Sequence, residues 1–184
     1  MFSLDKPEDL VKIRLISSIW NSKCDSPEKI ESLFLISYPD IIVLDENQQI
    51  ALLVDVQAKK IKEEINEKYL SQVTKLYLQN SKQETRFAMF AELDNITIFK
   101  FKNGKTQNSP LKLETSDILS KYDSSFQDKK HKIFAFYLKT LVESWLRDLA
   151  YHWKSDKPPA SNQLQQIELL HKIEGGDTYS HNDE

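Results

Sequence analysis

Two aspartates, Asp40 and Asp55, lie in a stretch of sequence that could bind a divalent metal ion. The stretch YPDIIVLDENQQIALLVDVQAKK covers residues 38–60 and predicts two apolar strands joined by the polar turn DENQQ. Asp40 begins the first strand and Asp55 lies near the end of the second, and these two ends are neighbours in an antiparallel pair. Since Mg²⁺ and Mn²⁺ prefer hard oxygen ligands, the hairpin predicts two carboxylates that can approach one ion.

Gln57 and Lys59 follow Asp55 at alternate positions. Side chains alternate between the two faces of a strand, so all three share one face if the strand continues that far. A bound divalent ion activates water and neutralises phosphate charge, and a lysine stabilises the same negative charge. This residue set is typical of phosphodiester hydrolysis. The alternatives stay open, because a strand-end aspartate often just faces water and Lys59 can simply begin a solvated helix.

Composition excludes several other kinds of site. The chain has 184 residues, enough for one domain with a core, but only 3 glycines and no glycine-rich phosphate loop. Its single cysteine, Cys24, cannot form an internal disulfide or a cysteine-based zinc site. Because the net charge is −3, nucleic-acid binding needs a bound cation or a local basic patch. The candidate patches are the lysines of FKFKNGK (99–105) and DKKHK (128–132).

The hydrophobic pattern predicts an α/β domain in which one sheet is flanked by helices. We expect a single domain over residues 1–174 and a disordered tail over residues 175–184. NGKTQNSPLKLETSD (103–117) shows no clear period. A long C-terminal helix is predicted over residues 128–153, with an apolar stripe at Phe134, Leu138, Leu141, Trp145, Leu149 and His152 or Trp153. The other predicted elements are a helix from Asp5, a short helix after Ser26, the hairpin, a helix over 60–80, and strands at RFAMFAEL and NITIFKF.

Location and partners can be predicted only broadly. The segment MFSLDKPEDL becomes charged at once, unlike a signal peptide, and no apolar run reaches 18 residues. We therefore expect a cytoplasmic protein that does not interact with membranes. The long helix is rich in large aromatic residues, for which core packing is the first interpretation and self-association as a homodimer the second.

The motifs YPD and LLVDVQAK resemble those of the PD-(D/E)XK nuclease superfamily, whose members have the restriction-endonuclease-like fold. The whole chain is also similar to small cyanobacterial proteins placed in that superfamily, including LVESWLRDLAYHWKSDKPP and IELLHKIEGG. The resemblance implies a restriction-endonuclease-like core with a mixed central sheet flanked by helices. It also implies an endonuclease-type hydrolase of DNA that depends on Mg²⁺ or Mn²⁺ and uses no small-molecule cofactor.

The resemblance also implies roles for individual residues. Asp40 and Asp55 would be metal ligands, and Gln57 falls at the position of the motif lysine, where some active relatives carry glutamine. Gln57 would orient water or add a ligand, while Lys59 would reach back along the same face to the phosphate. The accessory residues implied on the flanking helices are Glu31, Tyr69 and Gln72. The alternative is a catalytically inactive nuclease-fold protein that serves for binding or as a scaffold.

Overall fold

A mixed, open sheet forms the centre of the protein. The computed structural model describes residues 39–47, 49–58, 85–102 and 105–180, and the sheet has six strands within these ranges. The strands are β1 (Ile41–Leu44), β2 (Ile50–Gln57), β3 (Thr85–Glu92), β4 (Asn95–Lys102), β5 (Lys105–Glu114) and β6 (Thr178–Ser180). Their order is β5-β4-β3-β2-β1-β6, with β2 and β3 parallel and the other neighbours antiparallel. The prediction of an α/β protein whose mixed sheet is flanked by helices is confirmed.

The β1–β2 hairpin forms where the sequence predicts it. Ile41 pairs with Val54 and Val43 with Leu52, so the apolar side chains of both strands enter the same core. Asp45 stabilises the turn, because its carboxylate accepts hydrogen bonds from the N–H groups of Asn47 and Gln49, both at 2.9 Å. One oxygen of the buried aspartate thus serves as the acceptor for two amides of the turn.

The parallel pairing of β2 with β3 brings two strand ends together. Leu52 lies beside Phe87 at one end of the pairing, and Gln57 lies beside Glu92 at the other. A parallel pair needs a crossover connection. The helix predicted over 60–80 falls in this connection and, like the helices predicted before residue 39, lies outside the described residues.

The helices follow β5 and cover one face of the sheet. Leu138, Trp145 and Leu149 are buried against the side chains of Val54 and Val56. Of the helices in the described ranges, none is both long and apolar enough to cross a membrane. They are α1 (Thr115–Leu119), α2 (Phe126–Lys129), a 3-10 turn (Lys130–Lys132), α3 (Ala135–Tyr151), α4 (Ser161–Gln166) and α5 (Leu169–Ile173).

The long C-terminal helix is shorter than predicted. Ile133 and Phe134 have extended backbones, so the helix is interrupted there and α3 begins only at Ala135. Phe134 was expected in the buried stripe, but it is 80% exposed because it precedes the first helical turn. Leu138, Leu141, Trp145 and Leu149 are buried as predicted, whereas His152 and Trp153 are exposed because the helix ends at Tyr151.

Two strands lie where the sequence predicts none. Strand β5 contains Pro110, which lacks an N–H donor and is tolerated because β5 is an edge strand. Strand β6 lies in the stretch predicted as a disordered tail, and the prediction is wrong for Thr178–Ser180, which pair with Val43–Ile41. Gly176 allows this approach, since a Cβ there would lie 1.9 Å from the carbonyl oxygen of Leu44.

Asp148 anchors the end of α3 from a fully buried position. Its carboxylate accepts hydrogen bonds from the Tyr122 hydroxyl at 2.7 Å and from the N–H groups of Lys154 and Ser155 at 2.8 and 3.1 Å. Burial and the neighbouring carboxylate raise the pKa of Tyr122 well above its usual range. The phenol therefore stays protonated and remains a donor to Asp148.

Replacing Asp148 with alanine is expected to lower the free energy of unfolding by about 2–4 kcal/mol, because three donors lose a charged acceptor. Urea denaturation followed by circular dichroism measures the change. Asp156→Ala, at an exposed position in the following loop, is the matched control and should change stability by less than about 0.5 kcal/mol. Equal stability of the two variants would contradict the anchoring role.

Candidate metal centre

The hairpin register places Asp40 and Asp55 across from each other. Ile41 pairs with Val54, so the preceding residue on β1 and the following residue on β2 come next in the antiparallel ladder. Val54 and Val56 point into the core beneath α3. Asp55 and Gln57 therefore occupy the opposite face of the sheet, where both are half-buried. The two aspartates that the sequence singles out are brought together by the fold.

Each carboxylate is held by a specific donor. The N–H of Val56 donates to Oδ2 of Asp40 at 2.7 Å, which ties the start of β1 to the end of β2. The Nε2 amide of Gln57 donates to Oδ2 of Asp55 at 2.6 Å. Both contacts fix the direction of a carboxylate while the site stays half-buried. The arrangement is therefore preorganised for a ligand that binds carboxylate oxygens.

In this structure the Gln57 side chain forms a hydrogen bond with Asp55. Its amide NH₂ is directed at the carboxylate, so Gln57 is a positioning residue for Asp55 in this arrangement. The sequence suggested instead that Gln57 orients water or adds a metal ligand through its carbonyl oxygen. As a neutral side chain, Gln57 supplies no positive charge where the resemblance would place a lysine.

The electrostatics of the pair favour a bound cation. The pKa of Asp55 is raised to about 6, mainly by burial; the Gln57 hydrogen bond lowers it, while the negative charge of Asp40 and a hydrogen bond between the two carboxyl groups contribute to the rise. Two neighbouring carboxylates in a partly dry site cannot both ionise without cost. A divalent cation removes this cost by replacing the shared proton and neutralising both charges.

Glu92 is a neighbouring acid that sequence reasoning missed. It pairs in register with Gln57, and its side chain lies on the same face as Asp55. The sequence does contain a signal for Glu92, because the segment AMFAEL changes from apolar residues to an acidic residue at a strand end, as ALLVD does. However, the described residues contain no group of three or more acidic, histidine or cysteine side chains close enough to hold one ion. Glu92 is therefore a neighbour of the pair rather than a third ligand.

The donor set fits magnesium or manganese. Two carboxylates supply hard oxygen ligands, and Mg²⁺ commonly binds proteins through one or two carboxylates while water or phosphate completes its coordination. Asp40 and Asp55 would hold the ion. Four further residues named from the sequence lie outside the described part of the chain, namely Glu31, Lys59, Tyr69 and Gln72.

In EDTA, the stability of the protein should fall as the pH rises from about 4 to 7. The pKa of Asp55 is higher in the folded state than in the unfolded state, so the unfolded state releases its proton first. The stabilisation is complete below about pH 4 and is lost by about pH 7, at a cost of about 3 kcal/mol. Urea denaturation of Asp55→Asn and the unchanged protein at pH 4.5 and 7.5 measures this.

Asp55→Asn should therefore be more stable than the unchanged protein at pH 7.5. At pH 4.5 the free energies of unfolding of the two proteins should be nearly equal. Asp117→Asn, at an exposed position on α1, controls for loss of one negative charge. If Asp55→Asn and Asp117→Asn show the same dependence on pH, the two carboxyl groups are not coupled as described.

Comparisons with known proteins leave the function to be argued from this geometry. No protein-family model, curated protein or solved structure matches the chain. The resemblance to PD-(D/E)XK nucleases therefore remains a hypothesis supported by the motif residues and their arrangement, and the chain is assigned to no family.

Proposed function

We propose that the Asp40–Asp55 pair binds Mg²⁺ or Mn²⁺ and that the protein hydrolyses phosphodiester bonds in DNA. One observation carries the proposal: two half-buried carboxyl groups face each other across a hairpin, and the pKa of one is raised to about 6. A perturbed pKa with a specific charge partner is typical of functional sites. For these two side chains, a divalent cation is the ligand that best neutralises both negative charges.

The protein side chains have separable roles in this proposal. Asp40, held by the N–H of Val56, would contribute a carboxylate oxygen to the ion. Asp55 would present the oxygen that Gln57 does not occupy, and Gln57 would keep the carboxylate from rotating away. When bound, the ion supplies an activated water and neutralises charge on the phosphate.

The architecture is compatible with a restriction-endonuclease-like core. The motif hairpin is antiparallel, the strand that carries Asp55 is inside the sheet, and its next neighbour β3 runs parallel to it. The mixed sheet with helices packed on one face agrees with what the motif resemblance implies. The proposal that this sheet is the restriction-endonuclease-like core rests on that agreement together with YPD and VDVQAK.

A second candidate is a nuclease-fold protein that binds without cutting. The observation that favours it is the neutral Gln57 amide, which is directed at Asp55 where the motif would place a cationic lysine. A transition state that gains negative charge on phosphate is less stabilised by an amide than by an ammonium group. In this alternative, the aspartate pair binds a cation for structure and the protein serves as a binding or scaffold protein.

Metal binding is expected at neutral pH and should depend on both aspartates. Titration calorimetry with Mn²⁺ at pH 7.5 should detect binding that Asp40→Asn and Asp55→Asn each weaken at least about tenfold, since each removes a charged ligand. Asp117→Asn is again the control, because it removes one acidic group at a position outside the candidate site. Unchanged Mn²⁺ affinity in both site variants would place the metal at another position.

Cleavage should require the same residues. Purified protein with Mn²⁺ or Mg²⁺ is expected to cut plasmid, linear or single-stranded DNA, and Asp40→Ala or Asp55→Ala should lower the rate at least about 100-fold. Gel electrophoresis over time measures the rate, with Asp117→Ala as control. Cleavage that survives both substitutions would refute the assigned site, whereas metal binding without cleavage supports the binding protein.

A further inference from the structure

An exposed surface between α2 and α3 combines positive charge with aromatic rings. Two phenylalanines on it are strongly exposed, Phe134 at 80% and Phe136 at 61%. The cationic side chains that precede them are also accessible to solvent, with Lys130 the most covered. We call this the basic–aromatic surface, and it consists of Lys129, Lys130, His131, Lys132, Phe134 and Phe136.

Two buried residues anchor the basic–aromatic surface to the core. Phe126 is fully buried on one side of it, and Ile133 is 9% exposed within it, so both anchor the segment to the core. The extended backbone at Phe134 then turns that ring outward just before α3 begins. Lys139 lies beside Phe136, with its ammonium nitrogen 5.6 Å from the ring centroid. Large apolar side chains that are fixed and exposed in a group mark interaction surfaces.

The same surface lies at the end of the sheet that carries the aspartate pair. The ammonium of Lys130 pairs with Asp94 at 2.7 Å, and Asp94 belongs to the turn between β3 and β4. That turn follows Glu92, which pairs with Gln57 on the neighbouring strand. Two strand spacings, roughly 10 Å, therefore separate β2 from the strand that starts beside the basic–aromatic surface.

We propose that the basic–aromatic surface binds single-stranded DNA, with Lys129 and Lys132 on phosphates and Phe134 stacked on an unpaired base. Charge complementarity favours a polyanion, since Lys129, Lys130 and Lys132 fall within four consecutive residues, with Asp94 beside Lys130 and Asp123 near Lys129 as partial counter-charges. The exposed rings select unpaired bases, because bases inside a duplex are already stacked on one another. The inference rests on the proposed function in one respect: it takes the bound strand to be a substrate that extends to Asp40 and Asp55.

Fluorescence anisotropy with a labelled single-stranded DNA of about 20 nucleotides, in EDTA at low salt, tests the binding without cleavage. Phe134→Ala should weaken binding roughly 5- to 100-fold through loss of base stacking. Lys132→Ala should weaken it and reduce the dependence of log K on log salt by about 0.7, the contribution of one phosphate contact to a single strand. Matched duplex DNA and single-stranded RNA of the same sequence are the comparison ligands.

Two control variants remove similar side chains elsewhere. Trp153→Ala removes another exposed aromatic, which is 55% exposed, and Lys157→Ala removes another exposed lysine. Neither should alter the affinity for single-stranded DNA. Thermal melts establish that each variant is folded.

The inference is overturned if no single-stranded DNA binds, if duplex DNA or RNA binds more tightly, or if Phe134→Ala and Lys132→Ala behave like their controls. It is also overturned if Phe134→Ala changes only the sedimentation of the protein, which would make the surface a contact between two copies. Binding of anionic vesicles without DNA binding would make it a membrane-facing surface. Failure of the proposed function is distinct, since absent metal binding leaves this metal-free measurement unaffected.

Discussion

The pairing of Ile41 with Val54 is the constraint on which the candidate site depends. A slip of one residue in this register would turn the side chains of one strand to the opposite face of the sheet. The core prevents such a slip, because Ile41, Val43, Leu52 and Val54 are all fully buried on one face. Asp45 accepts hydrogen bonds from two amides of the turn, and these bonds fix the other end of the hairpin. Packing on one face therefore decides which acids meet on the other.

The two buried acids illustrate different uses of a carboxylate. Asp148 is fully buried and receives three donors, so its charge is compensated within the protein. Among the described residues, Asp55 receives one hydrogen bond from Gln57 and faces another acid, Asp40, so fewer donors offset its charge there. Two neighbouring carboxyl groups in a partly buried site cost stability. In the proposed function, a bound cation would offset this cost, whereas the donors around Asp148 are supplied by the protein itself.

Much of this arrangement could be predicted from local sequence. The two apolar runs and the polar turn between Asp40 and Gln57 were enough to predict the hairpin and the meeting of the two aspartates. The spacing of Leu138, Leu141, Trp145 and Leu149 was enough to predict the buried stripe of α3. These features depend on residues that are close in the sequence and whose periods are regular.

The remaining features depend on context that local patterns do not contain. Strand β5 is polar and contains Pro110. The proline is tolerated in a strand only because β5 lies at the edge of the sheet. Glu92 gains its place beside Gln57 through a parallel pairing, which local alternation does not reveal. The direction of the Gln57 amide is set by its carboxylate neighbour. The exposure of Phe134 follows from a break in the helix that apolar spacing does not show.

Strand β6 adds a long-range contact to the hairpin that carries the candidate site. It completes the hydrogen bonding of β1 through pairs such as Ile41 with Ser180, which are far apart in the sequence. Contacts of such high contact order close late, because the entropy of a long loop must be lost before they form. The pairing of β1 with β2 is local, so the register that brings Asp40 and Asp55 together does not depend on β6. We therefore expect the aspartate pair to form with the hairpin, and the outer edge of β1 to be covered only later, when β6 pairs with it.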